Sequence, residues 1–169
     1  MIKQCIGLLV VSLILSCNAN TESKETLINN SIKTPEQHKH KAADVALKFI
    51  NAYTDNCNKM KESQGVVEWV NASQLTTTHF RTELKTLISQ ANGNDTTSGL
   101  EADPIFDAQD YPEKGFELES FDQETNLVEV KGKEWADFRL KIKLVYNNEK
   151  WLVDGCGSIN IPKEERIVR

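Results

Sequence analysis

The sequence predicts an α+β domain in which helices come first and an antiparallel sheet follows. Apolar residues recur at spacings of three and four over residues 34–91, as they do on one face of an amphipathic helix. From residue 116 onward they alternate with polar residues, as in strands that bury one face. The 169-residue chain suits a single domain, which we place at residues 34–162, with a polar tail at residues 163–169.

The first helix is predicted to begin after Thr34 and to end near Asn56–Lys59. Thr34 can cap this helix, Pro35 suits its first position, and Gln37 completes a capping box. The apolar residues at helical spacing are Ala42, Val45, Ala46, Phe49, Ala52 and Tyr53. We expect this face to pack against the core.

A second helix is predicted at Thr77–Ala91, with Thr76 as its capping residue. Leu75 before the cap and Phe80 inside the helix are placed to form a hydrophobic staple. The intervening segment Val66–Val70 is predicted either as a short helical turn or as an extended segment. Asn, Gly, Asp, Thr and Ser make residues 92–99 a polar loop.

The second half of the chain predicts four strands joined by short turns. They are placed at Phe116–Ser120, Leu127–Lys131, Phe138–Tyr146 and Trp151–Ile161. Asn147–Lys150 is predicted as the turn between the last two strands, and Gly155 with Gly157 predicts a bulge or bend inside the last one. The strands therefore form a meander with one solvated face.

The N-terminus has the parts of a secretory signal. Lys3 precedes the apolar run Ile6–Leu15, which is too short to cross a membrane. The ending Ser16-Cys17 resembles the bacterial lipobox, in which the signal is cut before a Cys that receives lipid. We therefore predict a signal peptide at residues 1–16, lipidation of Cys17 and a polar tether over residues 17–33. The alternatives are ordinary signal cleavage and a short buried helix.

These features predict a protein anchored by lipid in a bacterial cell envelope. Asn18 follows the Cys, where an Asp would favour the inner membrane, so we expect the outer membrane. Residues 1–16 hold one lysine and no acid, so cleavage lowers the net charge from −5 to −6. Such a charge argues against nucleic acid as a partner and against charge-driven binding to anionic lipid. No motif indicates a cofactor.

Two cysteines remain in the mature chain, because Cys5 leaves with the signal and Cys17 takes the lipid. In an oxidising compartment, Cys57 and Cys156 predict one disulfide. Two free thiols are an alternative, and so is a reactive cysteine with His79 as its base.

The order of helices and meander, closing on Trp151-Leu152-Val153-Asp154, resembles the cone-shaped nuclear transport factor 2-like, or cystatin-like, superfamily. The stretch Asp103–Tyr111 resembles one in a group of bacterial secreted and lipid-anchored proteins of unknown function. The resemblance covers Pro35–Ile161 and implies helices packed on a curved antiparallel meander. Members include isomerases, dehydratases and non-catalytic binding or dimerising modules, so the resemblance allows a homodimer but does not assign an activity.

One polar cluster is of chemical interest, and it consists of Asp103, Asp107, Gln109, Asp110 and Tyr111. As a functional site it would hold a hard cation such as calcium, or perform acid–base chemistry with Tyr111. In the structural alternative, which we favour, Asp103 caps the segment while Ile105 and Phe106 fill the core and Gln109 and Asp110 fasten the loop. We therefore assign no catalytic residue and no metal ligand.

Our leading hypothesis is a non-catalytic, lipid-anchored module that binds a small molecule or a protein partner. One rival is an isomerase- or hydratase-like enzyme that uses Asp107 or Asp110 with a tyrosine such as Tyr53 or Tyr146. Another is a periplasmic immunity or inhibitor protein. A buried pocket lined by polar groups would favour the enzyme, whereas a filled core with an exposed apolar patch would favour the binding modules.

Overall fold

The structure, a computed structural model, describes residues 35–94 and 100–167. Over these residues the chain is α+β, as predicted, with three helices before a four-stranded sheet. The elements are α1 (Pro35–Cys57), α2 (Val66–Ala72), α3 (Thr78–Asn94), β1 (Phe116–Asp122), β2 (Leu127–Gly132), β3 (Arg139–Asn147) and β4 (Lys150–Cys156). The predicted signal peptide, Cys17, the tether and Thr34 lie outside the described residues.

Helix α1 contacts all four strands and supplies one wall of the core. Its buried apolar residues follow the helical period, and they are Ala42, Ala43, Ala46, Phe49, Ile50 and Tyr53. The predicted stripe is correct except at Ala52, which is exposed because it lies about 100° around the helix from Tyr53. Val45 is half-buried at the edge of this face.

The segment between α1 and α3 forms the short helix α2. Helix α3 begins one residue later than predicted because Thr77 is the capping residue, and its Oγ1 accepts the Phe80 N–H at 2.9 Å. The shift takes Leu75 and Phe80 out of the staple positions, so the predicted staple was wrong. Those positions belong to Thr76 and Arg81, and the Arg81 Nε–H donates to the Thr76 hydroxyl at 3.0 Å.

The strands form a meander in the order β1-β2-β3-β4, and each neighbouring pair is antiparallel. Strand β4 ends at Cys156 rather than at Ile161, because the chain turns at Gly157, where φ is +58°. A Cβ at this position would lie 2.3 Å from the Ile105 carbonyl oxygen. The predicted bend is therefore confirmed, and it requires glycine.

The sheet curves so that side chains of its first and last strands meet on the concave face. The ring centroids of Phe121 on β1 and Trp151 on β4 are 6.4 Å apart, whereas three strand spacings in a flat sheet span about 14 Å. The outer edge of β4 is covered, because the Val153 N–H donates to the Leu75 carbonyl and the Thr77 N–H donates to the Val153 carbonyl. Five fully buried phenylalanines fill much of the core, and they are Phe49, Phe80, Phe106, Phe116 and Phe138.

Candidate functional site

The acidic stretch singled out in the sequence folds as a tight turn from Asp103 to Ala108, closed by the Asp103 N–H donating to the Ala108 carbonyl at 3.0 Å. Asp103 Oδ1 accepts the N–H groups of Ile105 at 2.8 Å and Phe106 at 3.0 Å. Both of these apolar side chains are buried. Asp103 thus caps a turn rather than a short helix, and two core residues anchor that turn to the domain.

The neighbouring polar residues point to different parts of the molecule. Asp107, at φ +51°, places Oδ1 3.9 Å from Nη1 of Arg166. The side-chain amide of Gln109 donates to the Glu101 carbonyl at 3.2 Å, which fastens the loop as the structural alternative predicts. Asp110 is exposed. The three carboxylates of the predicted cluster therefore do not meet at one point.

Tyr111 extends the packing around the turn. Its ring stacks on Phe106 with centroids 4.6 Å apart, and its hydroxyl donates to the side-chain carbonyl of Asn58 at 3.2 Å.

Among residues 35–94 and 100–167, no group of three His, Cys, Asp or Glu side chains is placed to bind a metal ion.

Behind the turn, the partly buried Asp103 and the buried Tyr53 form a polar pair. The Tyr53 hydroxyl donates to Oδ2 of Asp103 at 2.5 Å. Burial raises the pKa of Asp103, although the hydrogen bonds that it accepts lower it in part. Burial and then the nearby Asp103 charge raise the pKa of Tyr53, so this hydroxyl stays protonated. The rings of Trp69 and Phe106 pack on Tyr53 at 4.8 and 5.1 Å, so its hydroxyl faces Asp103 rather than a substrate.

The predicted disulfide is not formed in the structure, since Cys57 and Cys156 are not bonded to each other. The Cys57 thiol contacts Tyr53, and the Cys156 thiol faces the turn. The buried Cys156 Sγ–H donates to the Ile105 carbonyl at 3.4 Å. Burial raises the pKa of Cys57 to about 11, and the nearby Asp103 charge adds to the effect. The sequence could indicate that the two cysteines lie at the same end of the domain, but not that this turn occupies the space beside each of them.

A polar cluster around Asp154 was not predicted. Gly155 pairs with Lys143 and Val153 with Leu144, so Asp154 is the extra residue of a β-bulge, and its side chain reaches the start of α3. The Thr77 hydroxyl donates to Asp154 Oδ1 at 2.7 Å. The only signal in the sequence is an acid placed between an apolar strand and a glycine.

The same cluster includes His79, which the sequence had offered as a base for a reactive cysteine. The Asn160 side-chain amide donates to both Oδ2 and the carbonyl of Asp154, at 3.0 and 2.7 Å, which uses both of its hydrogens. We therefore assign the hydrogen to Nδ1 of His79, which lies 3.3 Å from Asp154 Oδ1. Nε2 lies 3.7 Å from Glu83, so the contacts of this ring are carboxylates and an amide, not a thiol.

An open groove lies between α1, residues 74–75 and the β3–β4 hairpin, and we call it the hairpin groove. Its volume is about 440 Å³, within the range of about 300–1,000 Å³ found for small-molecule sites. The apolar lining consists of Val45, Leu75, Tyr146, Trp151 and Leu152. The polar lining consists of Lys41, Asp44, Gln74, Glu149 and Lys150.

The hairpin turn places two aromatic rings side by side in this groove. Asn148 and Glu149 have φ of +48° and +62°, as in a two-residue type I′ turn, so the predicted turn is confirmed. The turn pairs Tyr146 with Trp151, and their ring centroids are 5.1 Å apart. Tyr146 is 43% exposed, so it is not a core residue. Nε1 of Trp151 is buried and has no hydrogen-bond partner among residues 35–94 and 100–167.

Four charged side chains surround these rings, and they are Lys41, Asp44, Glu149 and Lys150. All four are exposed, and none forms an ion pair within the described residues. The hairpin groove thus combines an apolar floor with two positive and two negative groups that form no ion pair with any described residue. Sequence reasoning missed this site because it brings together distant parts of the chain. The pairing of two aromatic residues across a tight turn was the available signal.

Comparison with protein-family models, curated proteins and solved structures finds no match to this chain. Within the residues that the structure describes, no helix combines the length and the apolar character needed to cross a membrane.

Proposed function

We propose that this protein is a non-catalytic binding module, anchored by lipid in the bacterial cell envelope, and that it binds a small ligand in the hairpin groove. The observation that carries the proposal is the groove itself, where the exposed Tyr146 and half-buried apolar side chains meet charges that form no ion pair among the described residues. Isolated exposed apolar residues are ordinary, but a concave group of them with convergent polar side chains is typical of a ligand site.

The contrast with the predicted acidic cluster supports a binding role over an enzymatic one. Asp103 and Tyr53, the groups closest to an acid–base pair, are hydrogen-bonded to each other, and two aromatic rings pack on Tyr53. Tyr146, the other tyrosine considered for catalysis, lies on β3 at the hairpin groove. Aromatic rings of the core block access to the Tyr53 hydroxyl, whereas the hairpin groove is open. The groove is therefore the better place for a ligand.

The proposal also includes the fold family of the domain and the lipid anchor on Cys17. The strong curvature of the sheet and the position of α1 against all four strands support a cone-shaped nuclear transport factor 2-like fold. Lipidation of Cys17 is supported by the lipobox-like Leu15-Ser16-Cys17. Fatty-acid labelling of the cells tests the anchor, because Cys17→Ser is expected to abolish the label. Equal label on both proteins would contradict it.

The binding role is tested on residues 17–169 carrying Cys17→Ser, so that no lipid or detergent is needed. Titration with the apolar fluorescent probe N-phenylnaphthylamine is expected to show saturable binding. Tyr146→Ala removes half of the aromatic pair and is expected to weaken binding about tenfold, the loss of about 1.4 kcal/mol.

Trp135→Ala is the matched control, since Trp135 is 46% exposed and also packs against one aromatic ring, but lies outside the hairpin groove. Its variant is expected to bind the probe like the parent protein. Equal weakening by both substitutions, or binding that does not saturate, would show that the groove is not a specific site.

A further inference from the structure

We propose that the ligand of the hairpin groove is a single-chain zwitterionic phospholipid, whose head carries one ammonium and one phosphate group. This inference rests on the proposed function, because it names the ligand class of the same groove. Its apolar chain would lie on the floor formed by Val45, Leu75 and Leu152, and its two opposite charges would meet the rim.

The charges of the rim carry the choice of head group. Lys41 and Lys150 can pair with a phosphate, and Asp44 and Glu149 can pair with an ammonium group. None of the four has an ion-pair partner within the described residues, so a ligand would not have to break an existing pair. A ligand with one kind of charge would satisfy one pair and bring the other pair close to a like charge. A zwitterion satisfies both.

The aromatic pair favours an ammonium group in particular. The faces of tyrosine and tryptophan attract cations, and aromatic rings recur in sites that bind quaternary ammonium groups. Tyr146 and Trp151 contact each other at the groove, with ring centroids 5.1 Å apart, so an ammonium group would pack on the open side of this pair rather than between the rings. Glu149 in the turn between them supplies a carboxylate. The same small area therefore offers both kinds of contact that stabilise an ammonium ion.

The position of the groove favours a ligand from the bilayer. Val45 lies ten residues after Pro35, so the groove begins within about 15 Å of the start of α1. The seventeen residues between the predicted lipid on Cys17 and α1 span at most about 60 Å when fully extended. The groove thus belongs to the end of the domain that the chain connects to the membrane. Its volume of about 440 Å³ suits one small amphiphile rather than an extended membrane surface.

A series of ligands with one tail and different heads tests the inference. Octylphosphocholine, octyltrimethylammonium, octyl phosphate and octyl glucoside share an octyl chain and differ in charge. Each is titrated as a monomer into residues 17–169 carrying Cys17→Ser, by calorimetry. We expect octylphosphocholine to bind about tenfold more tightly than each of the other three, since it alone pairs with both signs of the rim.

Two double variants test the positive and the negative side chains of the rim separately, and neither changes a core residue. Lys41→Gln with Lys150→Gln is expected to remove the preference for octylphosphocholine over octyltrimethylammonium. Asp44→Asn with Glu149→Gln is expected to remove its preference over octyl phosphate. The matched control is Lys61→Gln with Lys163→Gln, which neutralises two exposed lysines outside the groove and should leave all preferences unchanged.

The outcomes distinguish this inference from the function on which it rests. If octyl glucoside binds as tightly as octylphosphocholine, the zwitterion preference is wrong while binding in the groove stands. Binding to phosphatidylcholine vesicles without binding to any monomer would overturn the single-chain ligand in favour of surface docking. If neither the octyl compounds nor N-phenylnaphthylamine binds, both proposals fail.

Discussion

Among the described residues, polar groups are bonded within the domain at one end of α1 and β4, and several lack such bonds at the other end. At the turn end, late residues of α1 and the end of β4 meet the Asp103–Ala108 turn, and Asp103 accepts three hydrogen bonds from Tyr53, Ile105 and Phe106. At the groove end, early residues of α1 and the start of β4 surround the hairpin groove. There, within the part of the chain that the structure describes, the rim charges have no ion pair and the Trp151 Nε1 has no hydrogen-bond partner.

This difference distinguishes polar groups that stabilise the fold from polar groups that can bind a ligand. A partly buried carboxyl group that accepts three hydrogen bonds from its own chain stabilises the fold and has little capacity left for a ligand. An exposed charge without a partner contributes little to the fold and can still bind a second molecule. A concentration of acids in the sequence, such as residues 103–110, therefore indicates a site only when the fold leaves those acids unsatisfied.

The largest expected effect is at the turn end. Asp103→Ala leaves the Tyr53 hydroxyl and two backbone N–H groups without their acceptor. We expect the free energy of unfolding to fall by about 2–4 kcal/mol, and the melting temperature to fall by about 5–15 °C. Urea denaturation and thermal melting of the two proteins measure these changes.

Asp107→Asn is the control within the same turn. Asparagine tolerates the positive φ of this position as well as aspartate does, and the contact with Arg166 at 3.9 Å is partly exposed. We expect a change within about 0.5 kcal/mol. If both variants lose the same stability, Asp103 has no special role and the contrast between the two ends is wrong.

The next effect is on the chemistry of Cys57. With a pKa of about 11, its thiolate fraction at pH 8 is about a hundredfold lower than that of an ordinary cysteine. Alkylation by iodoacetamide in the native protein should be slowed accordingly, and Asp103→Asn should accelerate it by removing a nearby negative charge. Mass spectrometry after unfolding without reductant gives the second readout. Two alkylated thiols are expected, whereas an unmodified protein would restore the disulfide prediction.

Local patterns in the sequence predicted most of the fold. The spacing of Phe49 and Tyr53 and the alternation along β3 depend only on neighbours in the chain, and both were correct. The two-residue turn and the bend at Gly157 follow from local backbone preferences. The start of α3 was missed by one residue because Thr76 and Thr77 are both good caps, and contacts with β4 decide between them.

Long-range contacts account for what the sequence did not reveal. The Tyr53–Asp103 pair joins a helix to a distant turn, and the bulge at Asp154 is defined only by the pairing of β4 with β3. The disulfide was inferred from the number of cysteines, which says nothing about what lies between them. The hairpin groove was missed for the same reason, because Lys41 and Tyr146 become neighbours only when α1 crosses the sheet.

A smaller effect at the turn end depends on pH. Burial raises the pKa of Asp103 in the folded state, so the folded protein binds this proton more tightly than the unfolded chain does. The contribution of Asp103 to stability is therefore greatest below its unfolded pKa of about 3.9 and declines as pH rises through the folded pKa. Asp103→Asn removes this titration. The difference in unfolding free energy, parent minus variant, should fall with rising pH above about 4 and then level off. A difference that rises with pH would show that the hydrogen bonds outweigh the burial.

The smallest change in stability is expected for a variant at the groove end. This variant gives the sharpest test of the contrast between the two ends. Glu149→Gln with Lys150→Gln changes two exposed side chains that form no ion pair among the described residues, and it preserves the backbone preference of the turn. The free energy of unfolding should change by less than about 0.5 kcal/mol, while the affinity for octylphosphocholine should fall. At the turn end we expect the opposite pattern. Asp103→Asn should alter the pH dependence of stability and leave the affinity for octylphosphocholine unchanged. If the groove variant destabilised the domain as much as Asp103→Ala does, Glu149 and Lys150 would stabilise the fold, and they would not be free to bind a ligand.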